Sequence, residues 1–162
     1  MIRGNATIIT DLFVYGTLKR GECRESMWPR KPICIREGFI LARLYDLGPY
    51  PAIRVDECGD PDDDSLLVDD LDWVCGERWS FSMNDVAPTI TILDEIEQTN
   101  QPGDCNLYDH VLVRVFDQPN SRTSQLALAY QFSCTLRLDQ SRRLGPRDGD
   151  AFVCWSAGTD ER

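Results

Sequence analysis

Three acidic side chains, Asp94, Glu95 and Glu97, fall close together on a segment whose apolar residues recur at helical spacing. At ~100° per residue, Val86, Ile90 and Leu93 form one stripe, and Glu97 falls in the middle of it. Glu95 points nearly opposite and Asp94 sits on the flank, so only one of the three carboxylates is aimed inward. Two readings follow. Either Glu97 ends the helix and curls out to water, as last-turn residues commonly do, or it is held in an apolar cleft. In the cleft, desolvation lifts its pKa from about 4.3 toward neutrality and makes it a proton acceptor at cellular pH.

The rest of the sequence leaves chemistry to carboxylates. His110 is the single histidine, which excludes histidine-rich metal sites and routes any Ser-His or Cys-His scheme through one residue. The seven cysteines, at 23, 34, 58, 75, 105, 134 and 154, are widely spaced and include no C-x-x-C pair. They read as buried free thiols, with no pair spaced to nucleate a zinc or redox site; an intermolecular or regulatory cysteine stays open, without a positive sign in the spacing.

The elements that must position Glu97 are mainly strands. The helix is expected from Asn84 or Asp85, either of which can cap it, to about Glu97, with Pro88 in its first turn. Ile8 to Tyr15 reads as a buried strand that stops at Gly16-Thr17, where the chain can turn tightly. Ile33 to Leu47, which contains Gly38, reads as strands broken by turns, followed by short strands over Tyr50 to Val55 and Trp73 to Phe81. Tyr108 to Phe116 alternates, with Val111, Val113 and Val115 on one face. Ser124 to Phe132 also alternates, with Leu126, Leu128, Tyr130 and Phe132 on one face. Arg142 to Gly149 reads as a polar turn before a last strand, Ala151 to Trp155.

Residues 56 to 72 carry nine acidic side chains with Gly59 and Pro61. The glycine and terminal glutamate of an EF-hand loop are missing at their offsets, so a solvated surface loop is expected. At 162 residues, 42% hydrophobic and 27% charged, the chain is expected to be one globular domain with a core of its own. A net charge of −10 with scattered basic residues opposes phosphate-bearing partners, so no nucleic acid is expected. No apolar run approaches the ~20 residues of a membrane span. Met1 to Asn5 lacks a signal-peptide core, which predicts a cytoplasmic protein. Nothing in the sequence indicates the oligomeric state.

Several segments resemble a known family in the right order. Val14-Tyr15-Gly16-Thr17-Leu18-Lys19-Arg20-Gly21 matches the V-Y-G-T-L-x-x-G signature of the γ-glutamylcyclotransferase-like family, which includes γ-glutamylamine cyclotransferases and AIG2-like proteins. Gly48-Pro49-Tyr50-Pro51-Ala52 resembles its G-x-Y-P-A segment, and Val74-Cys75-Gly76-Glu77-Arg78-Trp79 its V-x-G-E-x-aromatic strand. Leu93-Asp94-Glu95-Ile96-Glu97 resembles its L-D-x-x-E helix end. One departure stands out: the family follows that helix with Y-x-R, and this chain has Tyr108-Asp109-His110. The acidic loop and the extension at 134 to 162 also lie outside the matched motifs.

The resemblance implies an α+β fold, a small mixed β-barrel with a few flanking helices. It implies a cofactor-independent enzyme that cyclises a γ-glutamyl amine or peptide to 5-oxoproline and releases an amine. Glu97 would be the general acid/base, Tyr15, Gly16, Thr17 and Leu18 the substrate cradle, and Tyr50, Tyr108 and Tyr130 further contacts. Two other readings stay open: an inactive module of the same fold that binds a small ligand, and an interaction protein that docks a basic partner through the acidic loop.

Overall fold

A computed structural model describes residues 8–55, 71–103 and 105–157. The residues at 1–7 and most of the acidic segment, 56–70, lie outside them, so the loop expectation falls there. Its last member, Asp72, already begins a strand.

The strands are β1 (Asp11–Val14), β2 (Cys34–Asp46), β3 (Pro51–Arg54), β4 (Asp72–Ser80), β5 (Tyr108–Phe116), β6 (Ser124–Phe132) and β7 (Arg142–Leu144). Hydrogen bonding runs β2-β4-β1-β6-β5, and Phe39 of β2 meets Phe116 of β5, which closes a barrel. Beyond the barrel, the far end of β2 pairs with β3 and β7. Every pairing between these strands is antiparallel except β1 with β6, so the barrel is mixed. One α-helix, α1 (Met83–Ile96), and a short one, α2 (Thr135–Asp139), flank it.

Two apolar clusters flank the barrel wall. The interior holds Phe13, Ile40, Leu44, Val74, Val113 and Val115, with Ala127 and Ala129 from β6. The second cluster packs Val86 and Leu93 of α1 against Leu12, Val14, Tyr108, Tyr130 and Phe132. The bulky face read from the sequence of β6 is therefore mostly its helix side, and its barrel side is alanine. A small barrel has little interior volume, so small residues fit inside while large ones find room under a helix.

Several expectations change. β2 runs unbroken through Gly38, because nine successive residues pair with β4, from Cys34↔Ser80 to Ala42↔Asp72. α1 starts at Met83 after Ser82, which puts Pro88 in the second turn. There its missing N–H leaves the Asn84 carbonyl to water, on the exposed side of the helix. Arg142–Leu144 is a strand rather than a turn, whereas 151–155 makes only a single parallel bridge, Val74↔Val153. The cysteines are mostly not buried: Cys23, Cys105, Cys134 and Cys154 are exposed, and Cys75 is the buried one among the described residues. Among the described residues no helix is long and apolar enough to cross a membrane.

The close crossing of β1 over β4 depends on a glycine. A Cβ on Gly76 would lie 2.4 Å from the Val14 carbonyl oxygen and 2.6 Å from the Phe13 ring. Backbone cannot yield as a flexible side chain can, so Gly76→Ala is expected to destabilise the protein by roughly 2–4 kcal/mol, read as a lower urea midpoint.

Candidate active site

Glu97 is the C-cap of α1, and the chain beyond it is locked rather than frayed. Gln98 takes the left-handed conformation at φ 52°. The Thr99 N–H then donates to the Asp94 carbonyl at 2.8 Å and the Gln98 N–H to the Glu95 carbonyl at 3.4 Å. These are the two bonds of a Schellman turn, here built without glycine. Thr99, 1% exposed, also donates its hydroxyl to the Tyr108 carbonyl at 2.7 Å, which ties the helix end to the start of β5. The backbone at Glu97 is therefore fixed, and its partly buried side chain lines a cleft.

That small cleft is lined by Tyr15, Gly16, Thr17, Leu18, Tyr50, Glu97, Tyr108 and Tyr130, the same eight residues singled out from the sequence. The topology explains why they meet. Because β1 and β6 run parallel and β5 antiparallel to both, the end of β1, the end of β6 and the start of β5 lie together. The turn after β1 is packed against β3: a Cβ on Gly16 would lie 2.6 Å from the Pro51 ring. Glycine is required here for close approach. The turn's carbonyls are occupied, since Gly16 accepts from Lys19 N–H, Thr17 from Arg24 N–H and Leu18 from the Trp28 indole N–H.

Burial pushes the Glu97 carboxyl up to about 7, against the opposing pull of the Arg24 guanidinium. The three buried tyrosines stay phenolic, their pKa values raised chiefly by burial and further by the nearby carboxylate. Each hydroxyl already has an acceptor. Tyr15 donates to the Tyr130 carbonyl at 2.6 Å, Tyr108 to the Pro51 carbonyl at 2.8 Å and Tyr130 to Asp94 Oδ1 at 2.7 Å. Their protons serve the protein, so the rings act as an apolar wall.

Sequence reasoning missed four contributors. Arg24 lines the cleft from the loop after the turn, where nothing periodic marks it. Pro51 lines it from the start of β3, inside a motif already noted. Buried Glu77 accepts both the Arg20 backbone N–H at 2.7 Å and Arg20 Nε at 2.5 Å, fixing the chain just past the turn. It too lay in a noted motif, read only as part of a strand. Asp94, assigned to the helix flank, binds Tyr130 and also His110 Nε2 at 2.5 Å. His110 itself does not line the cleft. Among the described residues there is no group of three or more side chains that could hold a metal.

Residues 12–150 match a family model described as γ-glutamyl cyclotransferase, AIG2-like. A search of curated proteins finds no match. Among solved structures, an AIG2-like protein from Mus musculus is similar at TM-score 0.56 and 14% identity, with 94% of this chain and 99% of that one covered. A protein specific to uropathogenic E. coli is similar at 0.51 and 18% identity, covering 85% and 89%. YkqA from Bacillus subtilis is similar at 0.51 and 20% identity over 78% of this chain, which spans only 36% of that protein. At these identities the likeness shows the fold.

The raised pKa of Glu97 has a consequence for stability. Between the unfolded value near 4.3 and the folded value of about 7, the native state holds a proton that the unfolded state has lost, so stability falls as pH rises through that window. Glu97→Gln removes the ionisation. Relative to the wild type, thermal melts are expected to show the variant stabilised by roughly 1–3 kcal/mol at pH 8, the gain disappearing below about pH 4.5. Thr99→Val should cost about 1–2 kcal/mol at every pH, because it removes a buried hydroxyl donor from the Tyr108 carbonyl.

Proposed function

Because this chain belongs to the γ-glutamyl cyclotransferase, AIG2-like family, we propose that it cyclises a γ-glutamyl amine or peptide, releasing the amine and leaving 5-oxoproline, with Glu97 as general acid/base. The observation that carries this reading is a carboxylate, raised to about 7 by burial, that faces the Tyr15–Leu18 turn across a small cleft. We read the chain as one catalytic domain that acts on a small metabolite.

In this mechanism the α-amine of the glutamyl group attacks its own γ-carbonyl carbon. A C–N bond closes the five-membered ring while the bond to the departing amine breaks. An α-amine is largely protonated at neutral pH, with values near 8, so ionised Glu97 takes one proton before attack and hands it to the leaving nitrogen as the C–N bond breaks. The second proton that the attacking nitrogen sheds on becoming a ring amide N–H passes to the released amine, which leaves as an ammonium, so the reaction balances without a co-reactant. Backbone N–H groups of Gly16, Thr17 and Leu18 take the substrate carboxylate or the developing oxyanion, as the glycine lets a ligand approach the main chain closely. Arg24 supplies the positive charge beside the base and favours an anionic substrate. Tyr15, Tyr50, Tyr108 and Tyr130 form a wall that folds the substrate so that amine and carbonyl meet. Alignment of intramolecular groups is worth several kcal/mol, up to ~7–11 in the best cases.

The test is mass-spectrometric detection of 5-oxoproline released from a mixed set of γ-glutamyl amines and peptides. Glu97→Gln is expected to lower turnover by roughly 10²–10⁴-fold. Binding of γ-glutamyl compounds without turnover by the wild type would instead establish a non-catalytic module. A second expectation concerns pH. In the wild type kcat/KM should rise as Glu97 ionises near pH 7. Arg24→Met removes the cation that, among the described residues, opposes the effect of burial, so that limb should move to higher pH and KM should rise.

A further inference from the structure

The only contact of residues 151–155 with the barrel wall that has strand register brings two cysteines together. Val153 bridges Val74 in parallel, with the Cys75 N–H donating to the Val153 carbonyl at 2.8 Å and the Val153 N–H to the Trp73 carbonyl at 2.9 Å. Val74 and Val153 both pack in the barrel interior. Side chains alternate along extended chain, so their successors, Cys75 and Cys154, stand side by side on the opposite face. The two thiols are near enough to shift each other's ionisation, Cys75 upward and Cys154 downward. Neighbouring strands lie about 4.8 Å apart, within the ~4.4–6.8 Å Cα separation that a disulfide accepts.

The two sulfurs are not equivalent. Cys75 is buried and Cys154 exposed. The neighbouring Cys75 thiol and the Lys19 ammonium lower the Cys154 pKa, against partial desolvation and Glu37, while the neighbouring Cys154 and burial push Cys75 up. Lys19 is held in place by donating to the Trp155 carbonyl at 2.6 Å. An accessible thiol with a lowered pKa beside a second, buried thiol is the arrangement that oxidant-sensitive cysteines require.

We propose that Cys75 and Cys154 form a peroxide-reactive pair that closes to a disulfide. The Cys154 thiolate attacks one oxygen of hydrogen peroxide, the O–O bond breaks, and the hydroxide that leaves is protonated to water, giving a sulfenic acid. The Cys75 sulfur then attacks the Cys154 sulfur. The S–S bond forms as the S–O bond breaks, and the second hydroxide leaves with the Cys75 proton as water. The sulfurs lose two electrons, and the peroxide gains them. The bond staples residues 153–157 to β4. Those residues also hold the loop that follows the Tyr15–Leu18 turn, through Lys19 and through the Ala157 N–H to Glu22 at 3.4 Å.

The full chain is treated with hydrogen peroxide, alkylated, digested and analysed by mass spectrometry. The expected product is a peptide pair joining Cys75 to Cys154, two hydrogens lighter than the reduced peptides and restored by dithiothreitol. Cys154 should be alkylated roughly tenfold faster at pH 7 than the exposed Cys23, Cys105 and Cys134. Cys154→Ser abolishes the pair, and Cys75→Ser leaves a sulfenic acid at Cys154 that dimedone traps. Should Cys75→Ser fail to fold, the alkylation rates of the wild type and of Cys154→Ser still decide. Cys154 reacting no faster than the other exposed cysteines, or a disulfide from either residue to a third cysteine, overturns the proposal.

Discussion

The structure depends on holding one carboxylate at the mouth of a cleft where burial disfavours its charge. Burial raises the free energy of ionised Glu97, so a loose helix end would relieve it by unwinding outward. The Schellman turn removes that escape. It occupies the carbonyls of Asp94 and Glu95 and turns the chain at Gln98, and Thr99 then anchors the turn to β5. Gln98 takes a left-handed conformation that costs a non-glycine residue roughly 1 kcal/mol, which the two backbone bonds and the buried threonine offset.

The same logic extends to the tyrosines. A buried phenol without an acceptor would cost about 1–3 kcal/mol, and Tyr15, Tyr108 and Tyr130 each find one on a different element of the cleft. Tyr108 links β5 to β3, Tyr15 links the end of β1 to β6, and Tyr130 links β6 to α1. The cleft is thus cross-tied by hydroxyls that present only ring surface to its contents. Its floor draws on both apolar clusters, Phe13 and Tyr15 from the barrel interior and Val14, Leu18, Tyr108 and Tyr130 from beneath α1. A site at that junction has rigid walls on two sides.

Periodicity revealed the strands and the phase of Glu97, whereas the Tyr15–Leu18 turn and the site tyrosines were legible only through the family motifs. The alternation of Tyr108 to Phe116 and Ser124 to Phe132 gave both strands with their observed bounds, and helical phase placed Glu97 on the inward stripe. Features that depend on partners far along the chain stayed hidden. Gly38 looked like a break because its pairing with β4 is not local. Arg142–Leu144 looked like a turn because a short, mostly exposed edge strand carries no alternating apolar signal. The end of α1 carries no glycine, so its cap was invisible, and Arg24 and the Cys75–Cys154 pair lie on segments that only the closed barrel brings to their neighbours.

The one departure from the family motif is best understood from the same geometry. Where the resemblance leads one to expect arginine, His110 reaches Asp94 Oδ1 at 2.5 Å, and that oxygen also accepts from Tyr130 at 2.7 Å. An imidazole bearing hydrogen on Nε2 can donate this bond whether neutral or cationic. It gives up the bidentate fork and the permanent charge of a guanidinium. Since His110 stands behind Tyr130 rather than in the cleft, its influence on the contents passes through how firmly Asp94 holds that ring. The substitution thus alters the support of the wall and leaves the carboxylate and the turn that face the cleft in place.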